Sequence, residues 1–279
     1  MGGYRHSQER PEVIKSLSFD SMAELYDETR VFDRQCLDSA LDFLVQRFPP
    51  KDFSNVFEAG IGTGRIAVPL AQRGYRVLGV DISRDMLALL KKRLVRSQGS
   101  LEMALQEADV TRLPFRDGVL DVAIAVHLFY FIREWKKAAD ELLRVVRADG
   151  PVVLMHTGMG TEIPFLNERY KQLCAEQGCS ISQIGARSTR EVTDYLENLG
   201  CHVEWIRDRW QWTSRIRLDE ALSYIRSRAY SFTTVAADDV HSVAIEGLQS
   251  ELQHRFGSLT SEFEVQNEVR LAVILRSAR

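Results

Sequence analysis

The sequence predicts an α/β fold: a mostly parallel β-sheet with helices on both faces, and a helical cap added toward the C-terminal end. Three observations carry this expectation. Strand-like and helix-like segments alternate through residues 55–156. The fourth strand-like segment, 120–126, is almost wholly apolar, as suits a strand covered on both faces. Two later strand-like segments are separated by a helical stretch at 217–256. Repeated β-α-β units of this length close as a parallel sheet between two helix layers.

Taken in order, residues 1–18 read as a loose arm. Residues 19–48 read as helical, with apolar positions at Phe19, Met22, Leu25, Leu37, Leu41, Leu44 and Val45, and Pro49 and Pro50 end the stretch. A short strand at 55–58 runs into glycines, and a helix at 65–73 is closed by Gly74. The strand at 75–80 is dense in β-formers, and Ser83 is placed to cap a helix over 84–96. Strands follow at 101–108 and 120–126, a helix at 133–147 stops before Asp149 and Gly150, and a fifth strand spans 151–156. Beyond residue 160 the rhythm changes: helices at 164–177 and 189–199, a tryptophan-rich strand at 202–213, helices at 218–227 and 240–255, and a last strand at 265–275. The expected organisation is one domain over 19–279, divided into helices at 19–50, a core at 51–160, and a C-terminal part at 161–279 holding the cap insertion at about 217–256.

Composition narrows the function classes. The 279 residues are 45% hydrophobic and 27% charged, an ordinary globular mix. A net charge of −3 offers no basic face for nucleic acid. No apolar run approaches a membrane span, and MGGYRHSQER has no apolar signal region behind it. Gly2 does not fit myristoylation, because His6 stands where Ser or Thr is required. A cytoplasmic protein that contacts neither membrane nor nucleic acid is expected. Cys36, Cys174, Cys179 and Cys201 form no C-x-x-C pair and no His cluster sits at zinc spacing, so reduced structural thiols and no metal are expected.

The strongest local signal is Glu58-Ala-Gly60-Ile-Gly62-Thr-Gly64, which follows a strand and opens a helix. Such glycines let a ligand approach the main chain, and the N–H groups at the helix start then face it. The loop alone leaves the ligand open, because Gly62-Thr-Gly64-Arg-Ile-Ala67 also fits the dinucleotide fingerprint G-x-G-x-x-A. Asp81 ends the second strand about 20 residues on, where an acid accepts hydrogen bonds from ribose hydroxyls. An adenosine of either cofactor type satisfies it.

Further segments separate the possibilities. Glu58-x-Gly60-x-Gly62-x-Gly64 resembles motif I of the class I S-adenosylmethionine-dependent methyltransferases, whose first strand ends in an acid. An acid there suits a ligand bearing a sulfonium and an ammonium and repels a pyrophosphate. The segment 106–115, with Asp109, resembles the family stretch after the third strand, and 120–127 resembles the fourth strand. Residues 143–154 resemble the helix, turn and fifth strand, and 19–30, with Tyr26, resembles the N-terminal lid helix of the small-molecule branch. The likeness runs in order over 19–156, is nearest to uncharacterised bacterial members, and departs at Arg147-Ala-Asp-Gly150, where the usual Pro-Gly is missing.

The resemblance implies a Rossmann-like seven-stranded sheet with an antiparallel last strand, S-adenosyl-L-methionine as cofactor, and methyl transfer to a small-molecule O, N or C acceptor chosen by a variable cap. It also implies roles. Glu58, Gly60, Gly62 and Gly64 would surround the methionine moiety, and Asp81 would hold the ribose. Ile82 and Met86 would pack near the adenine, Asp109 and Val110 would meet its edge, and Val126 and His127 would flank the sulfonium. Arg30 and Arg65 are candidate carboxylate partners, of the cofactor or of an acidic acceptor. His127 and His156, at the carboxyl ends of the fourth and fifth strands, are candidate bases, and Tyr26 and Tyr130 candidates to orient an acceptor. Trp205, Trp210, Trp212, Tyr230 and Phe232 form an aromatic group that lines a cleft or fills the cap core. The alternatives are an NAD-dependent oxidoreductase, for which no Tyr-x-x-x-Lys set is present, and a cofactor-binding module without catalysis. Monomer and homodimer both fit.

Overall fold

A computed structural model describes residues 32–96, 101–158 and 160–277. The arm at 1–18 and the whole expected lid helix at 19–30, and with it Tyr26 and Arg30, lie outside the described residues. Helix α1 (Arg34–Arg47) begins where the Asp33 carboxylate accepts the Cys36 N–H at 2.7 Å, a side-chain cap for an otherwise unpaired donor. The core then alternates: β1 (Asn55–Ala59), α2 (Ala67–Gln72), β2 (Arg76–Asp81), α3 (Arg84–Arg96), β3 (Met103–Glu107), β4 (Val122–Val126), α4 (Trp135–Val145) and β5 (Val152–Thr157). Next come α5 (Pro164–Glu176), α6 (Thr189–Asn198), β6 (Cys201–Arg217), α7 (Leu218–Arg226), α8 (Asp238–Phe256) and β7 (Glu262–Arg276).

The seven strands form one sheet in the order β3-β2-β1-β4-β5-β7-β6. Strands β1 to β5 pair in parallel, and β7 enters antiparallel between β5 and β6. The resemblance anticipated this mixed sheet; the alternation alone gave only its parallel part. Side chains alternate between two cores. Val56, Val77, Val122 and Val153 face α1, α2 and α3, with Leu41, Leu70 and Leu90 among the buried partners. Phe57, Ala123, Val152 and Leu154 face α4 and α6, with Leu142 and Leu196. Each fully buried leucine of this kind contributes about 1.5–3 kcal/mol.

A third core belongs to the cap. Leu218, Leu222 and Ile225 of α7 pack with Ala244, Leu248 and Leu252 of α8 and with Leu166, Tyr170 and Leu173 of α5. Helix α5 thus shares this core although it precedes the 217–256 stretch. The helix was expected at 164–177; what it packs against was not legible. Strands β6 and β7 also outrun the expected 202–213 and 265–275, because they pair with each other as a long antiparallel ribbon from Cys201–Arg276 to Arg217–Glu262. The register slips between Ile206 and Trp210, where Asp208 takes φ 61°. At the turn lacking Pro-Gly, the Gly150 N–H donates to the Arg147 carbonyl at 3.0 Å, and a Cβ on Gly150 would stand 2.3 Å from the Asp121 carbonyl oxygen. Glycine is needed there by close approach, and proline is not. Among the described residues no helix is long and apolar enough to cross a membrane.

Candidate active site

The carboxyl ends of β1, β2 and β4 converge on two adjoining cavities of about 430 Å³ and about 80 Å³. Gly60, Gly62, Val126, His127 and Phe131 line both. In parallel α/β sheets this end is where ligands bind, because the strands diverge there and helix starts point inward.

The glycine loop connects β1 to α2. At Gly62 (φ 54°) an added Cβ would meet nothing within 4 Å, so this stretch of main chain faces open space. Gly64 lines neither cavity: at φ 79° its Cβ would stand 2.5 Å from Leu90 Cδ1 of α3, so it lets the loop pack on that helix. Asp81 ends β2 and braces the loop, with Oδ2 accepting the Gly62 N–H at 2.8 Å and Oδ1 accepting the Ser83 N–H at 2.9 Å. Ser83 Oγ in turn accepts the Met86 N–H at 3.1 Å and caps α3. Asp81, Ile82, Met86, Asp109 and Val110 all line the smaller cavity. Asp109 Oδ1 accepts from the N–H and the hydroxyl of Thr111 at 2.9 and 2.8 Å, which fixes the turn after β3.

Glu58 is 3% exposed and lines the larger cavity. Its Oε2 has no hydrogen-bond partner among the described residues. Burial, opposed by a backbone hydrogen bond from Ala67 and assisted by nearby Asp81, pushes its carboxyl well above the usual range. A buried acid with an unsatisfied oxygen is costly unless a cation joins it. The arrangement therefore fits a ligand with positive charge at the loop.

His127 follows β4 with φ 52°, a left-handed conformation that non-glycine residues rarely hold. Its Nε2 lies 2.9 Å from the Thr157 carbonyl oxygen, 3.1 Å from the Thr157 hydroxyl and 3.1 Å from the Thr157 N–H. The ring is thereby tied to the end of β5. The His156 ring is 4.7 Å away and lines the larger cavity. Burial and the nearby Arg270 lower its pKa to about 4, so it is neutral at pH 7. Arg65 lines the same cavity with its guanidinium 3.6 Å from the Phe32 ring centre. Tyr130 also lines it and shares a 2.7 Å hydrogen bond with Thr189 Oγ1.

The aromatic group divides. Trp210 is buried and donates from Nε1 to Ser39 Oγ at 3.0 Å, while Trp205 and Trp212 pack against the two sheet cores. Tyr230 and Phe232 stack on each other, with ring centres 5.6 Å apart and planes 9° from parallel, and form a wall of the larger cavity. Burial raises the thiols of Cys36, Cys174 and Cys201, which disfavours a reactive thiolate at each.

No motif marks Lys171, Glu162 or the segment 181–188 as cavity wall. The segment lies between two helices and carries no motif. Its position comes from two backbone bonds, Gly185 N–H to the Tyr130 carbonyl at 3.0 Å and Ala186 N–H to the Phe129 carbonyl at 2.9 Å. The glycine before Ala186 was the one available clue.

Comparisons with known proteins bear on the domain and the fold. A family profile described as a methyltransferase domain matches residues 57–154. Demethylmenaquinone methyltransferase of Thermus thermophilus is 31% identical over 118 residues, which is 42% of this chain and 51% of that protein. The chain thus spans about half the length of that curated relative. The YcgJ protein of Bacillus subtilis aligns with a TM-score of 0.58 at 17% identity, over 86% of this chain and 99% of that one. Phosphoethanolamine N-methyltransferase 2 of Haemonchus contortus, solved in complex with S-adenosyl-L-methionine, aligns with a TM-score of 0.50 at 17% identity, over 86% and 53%. These structural likenesses speak to the fold. Residues 57–154, which hold the acid-tipped glycine loop, are thus similar to a methyltransferase domain, and the seven-stranded sheet is similar in fold to solved methyltransferases.

Proposed function

We propose that this chain transfers a methyl group from S-adenosyl-L-methionine to a small-molecule acceptor held in the larger cavity. The observation that carries the reading is Glu58: a buried acid that lines the larger cavity beside the glycine loop and whose Oε2 has no hydrogen-bond partner among the described residues. The smaller cavity takes the adenosine, with Asp109, Val110, Ile82 and Met86 about the base and Asp81 at the ribose. The Gly60–Gly62 main chain and Glu58 take the methionine end, and Val126 and His127 border the sulfur. Gly64 serves by seating the loop on Leu90. Arg65 is the described candidate for a carboxylate partner.

The bound cofactor supplies a methyl group on a cationic sulfur, already activated for displacement. The chain has to align the acceptor, exclude water and neutralise charge. His127, tied to Thr157, shapes the methyl side of the cavity as a positioning residue. His156, neutral at pH 7, accepts a hydrogen bond from the acceptor rather than storing a proton. A cavity of about 430 Å³ is in the range of small-ligand sites and adjoins the loop, which favours an enzyme over a module that only binds cofactor. An NAD-dependent reading is disfavoured by the antiparallel β7 set between β5 and β6, since the dinucleotide fold continues in parallel.

The test is a pair of ligands. S-adenosylmethionine at 100 times its Kd should stabilise the protein by about 2.7 kcal/mol in thermal unfolding, whereas NAD should leave the melting curve unmoved. Asp81→Ala should reduce that affinity by about 1.5–3 kcal/mol through lost charge-assisted hydrogen bonds. Stabilisation by NAD in place of S-adenosylmethionine overturns the assignment.

A further inference from the structure

We propose that the acceptor is a planar or apolar molecule bearing an acidic group, a carboxylate or a phosphate, and that Arg187 receives that group. The proposal rests on the methyltransferase reading and specifies what its second substrate must be.

Charge at the larger cavity is uneven. Arg65, Lys171 and Arg187 line it, against Glu162 and Glu58. Glu58 is the buried acid at the cofactor end, and its burial favours the neutral form. Among the described residues, cations thus outnumber acids at the wall away from the cofactor end. Two of the cations are engaged. Arg65 lies on the Phe32 ring, and Lys171 Nζ is 2.7 Å from Glu168 and 5.4 Å from the Phe232 ring centre. The Arg187 guanidinium has no ion pair, hydrogen bond or ring contact among the described residues.

Its backbone, by contrast, is held. The Arg187 N–H donates to Glu191 Oε2 at 2.6 Å, and Ser188 Oγ accepts the Glu191 N–H at 3.1 Å, so the residue sits on the capped start of α6. Two residues earlier, the backbone bonds of Gly185 and Ala186 fasten the segment to the 3-10 turn Phe129–Phe131, which also lines the cofactor cavity. Arg187 is exposed, and its guanidinium, unpaired among the described residues, is available to an anion at the cavity and can bind it through two parallel N–H bonds, while the held backbone fixes where the side chain starts. The stacked Tyr230 and Phe232 line the same cavity and offer aromatic surface to a flat body. Anion and plane together define the acceptor.

The experiment uses the full chain loaded with S-adenosylhomocysteine, whose own binding by calorimetry tests the underlying reading separately. Onto that complex are titrated 4-hydroxybenzoate, phenyl phosphate and the uncharged 4-hydroxybenzamide. At least one of the two acids should bind ten-fold or more tightly than the amide, and the tighter one identifies the group. Arg187→Gln should erase that preference while S-adenosylhomocysteine affinity stays within two-fold, and Arg187→Lys should restore part of it. Equal binding of acids and amide, no binding by any probe, or a preference that survives Arg187→Gln overturns the proposal. Failure of S-adenosylhomocysteine to bind overturns the methyltransferase reading instead.

Discussion

Glu58 joins stability and binding in one side chain. Its carboxyl is raised by burial, so the folded state holds the proton more tightly than the unfolded chain does. The sign follows from linkage: this stabilisation is complete below the unfolded value of about 4.3 and is lost as pH rises from there through the raised folded value. A cation arriving at the loop reverses the preference, because the ionised carboxylate then has a partner. Cofactor binding should therefore release a proton, visible as a binding heat that changes with the ionisation heat of the buffer. Glu58→Gln should flatten the pH dependence of ligand-free stability and weaken S-adenosylmethionine by about 1.5–3 kcal/mol. A mutant with the wild-type pH–stability curve and affinity would remove Glu58 from the site. At this scale the sequence was informative where chemistry is local. An acid before glycines and an acid ending the next strand can be read within a few residues. The Arg187 side chain could not, since it reaches the cavity only through the fold of 181–188.

The glycine loop shows how one motif divides its labour. Gly62 and Gly64 both hold positive φ, but the space around them differs. Around Gly62 a methyl group has room, so Gly62→Ala pays only the left-handed backbone cost, about 1–2 kcal/mol. That methyl group would project into the space where the loop meets its ligand. We expect S-adenosylmethionine binding to fall at least ten-fold with a modest drop in melting temperature. Gly64→Ala meets Leu90 at 2.5 Å besides the same backbone cost, so its larger effect should be on melting temperature. Calorimetric affinity and thermal unfolding of the two variants check this, and the reverse ranking would reject the separation of roles. The motif was plain in the sequence, but this division was not, because Leu90 lies on a different helix. Element types were legible from periodicity throughout the core. Lengths of β6 and β7 were not, since strand ends there are set by mutual pairing, not by local composition.

At the scale of the molecule, the sheet and the cap do separate work. The parallel strands end at the glycine loop and the two later acids, while α5, α7 and α8 build a core of their own against the β6–β7 ribbon. Alternation of strands and helices predicted the first body, the antiparallel direction of β7 came from resemblance alone, and its place between β5 and β6 was not legible. Helices were expected between the last two strands, and α7 and α8 lie there. The cap's use of α5 was hidden because Leu166, Tyr170 and Leu173 mark a buried face without saying what buries it. Lys171 of α5 and Phe232 of the α7–α8 connection meet over one ring, so the cap wall of the cavity is assembled from segments far apart in sequence. If the cap selects the acceptor and the sheet holds the cofactor, a change in that wall should separate the two affinities. Phe232→Ala removes one face of the Tyr230 stack and the ring under Lys171. Losing such a pair costs about 0.5–1.5 kcal/mol beyond the lost apolar burial. We expect acceptor binding to weaken roughly ten-fold, which is about 1.4 kcal/mol, with S-adenosylmethionine affinity unchanged. Titration of each ligand onto the variant measures both, and parallel loss of the two affinities would mean that cap and sheet bind as one unit.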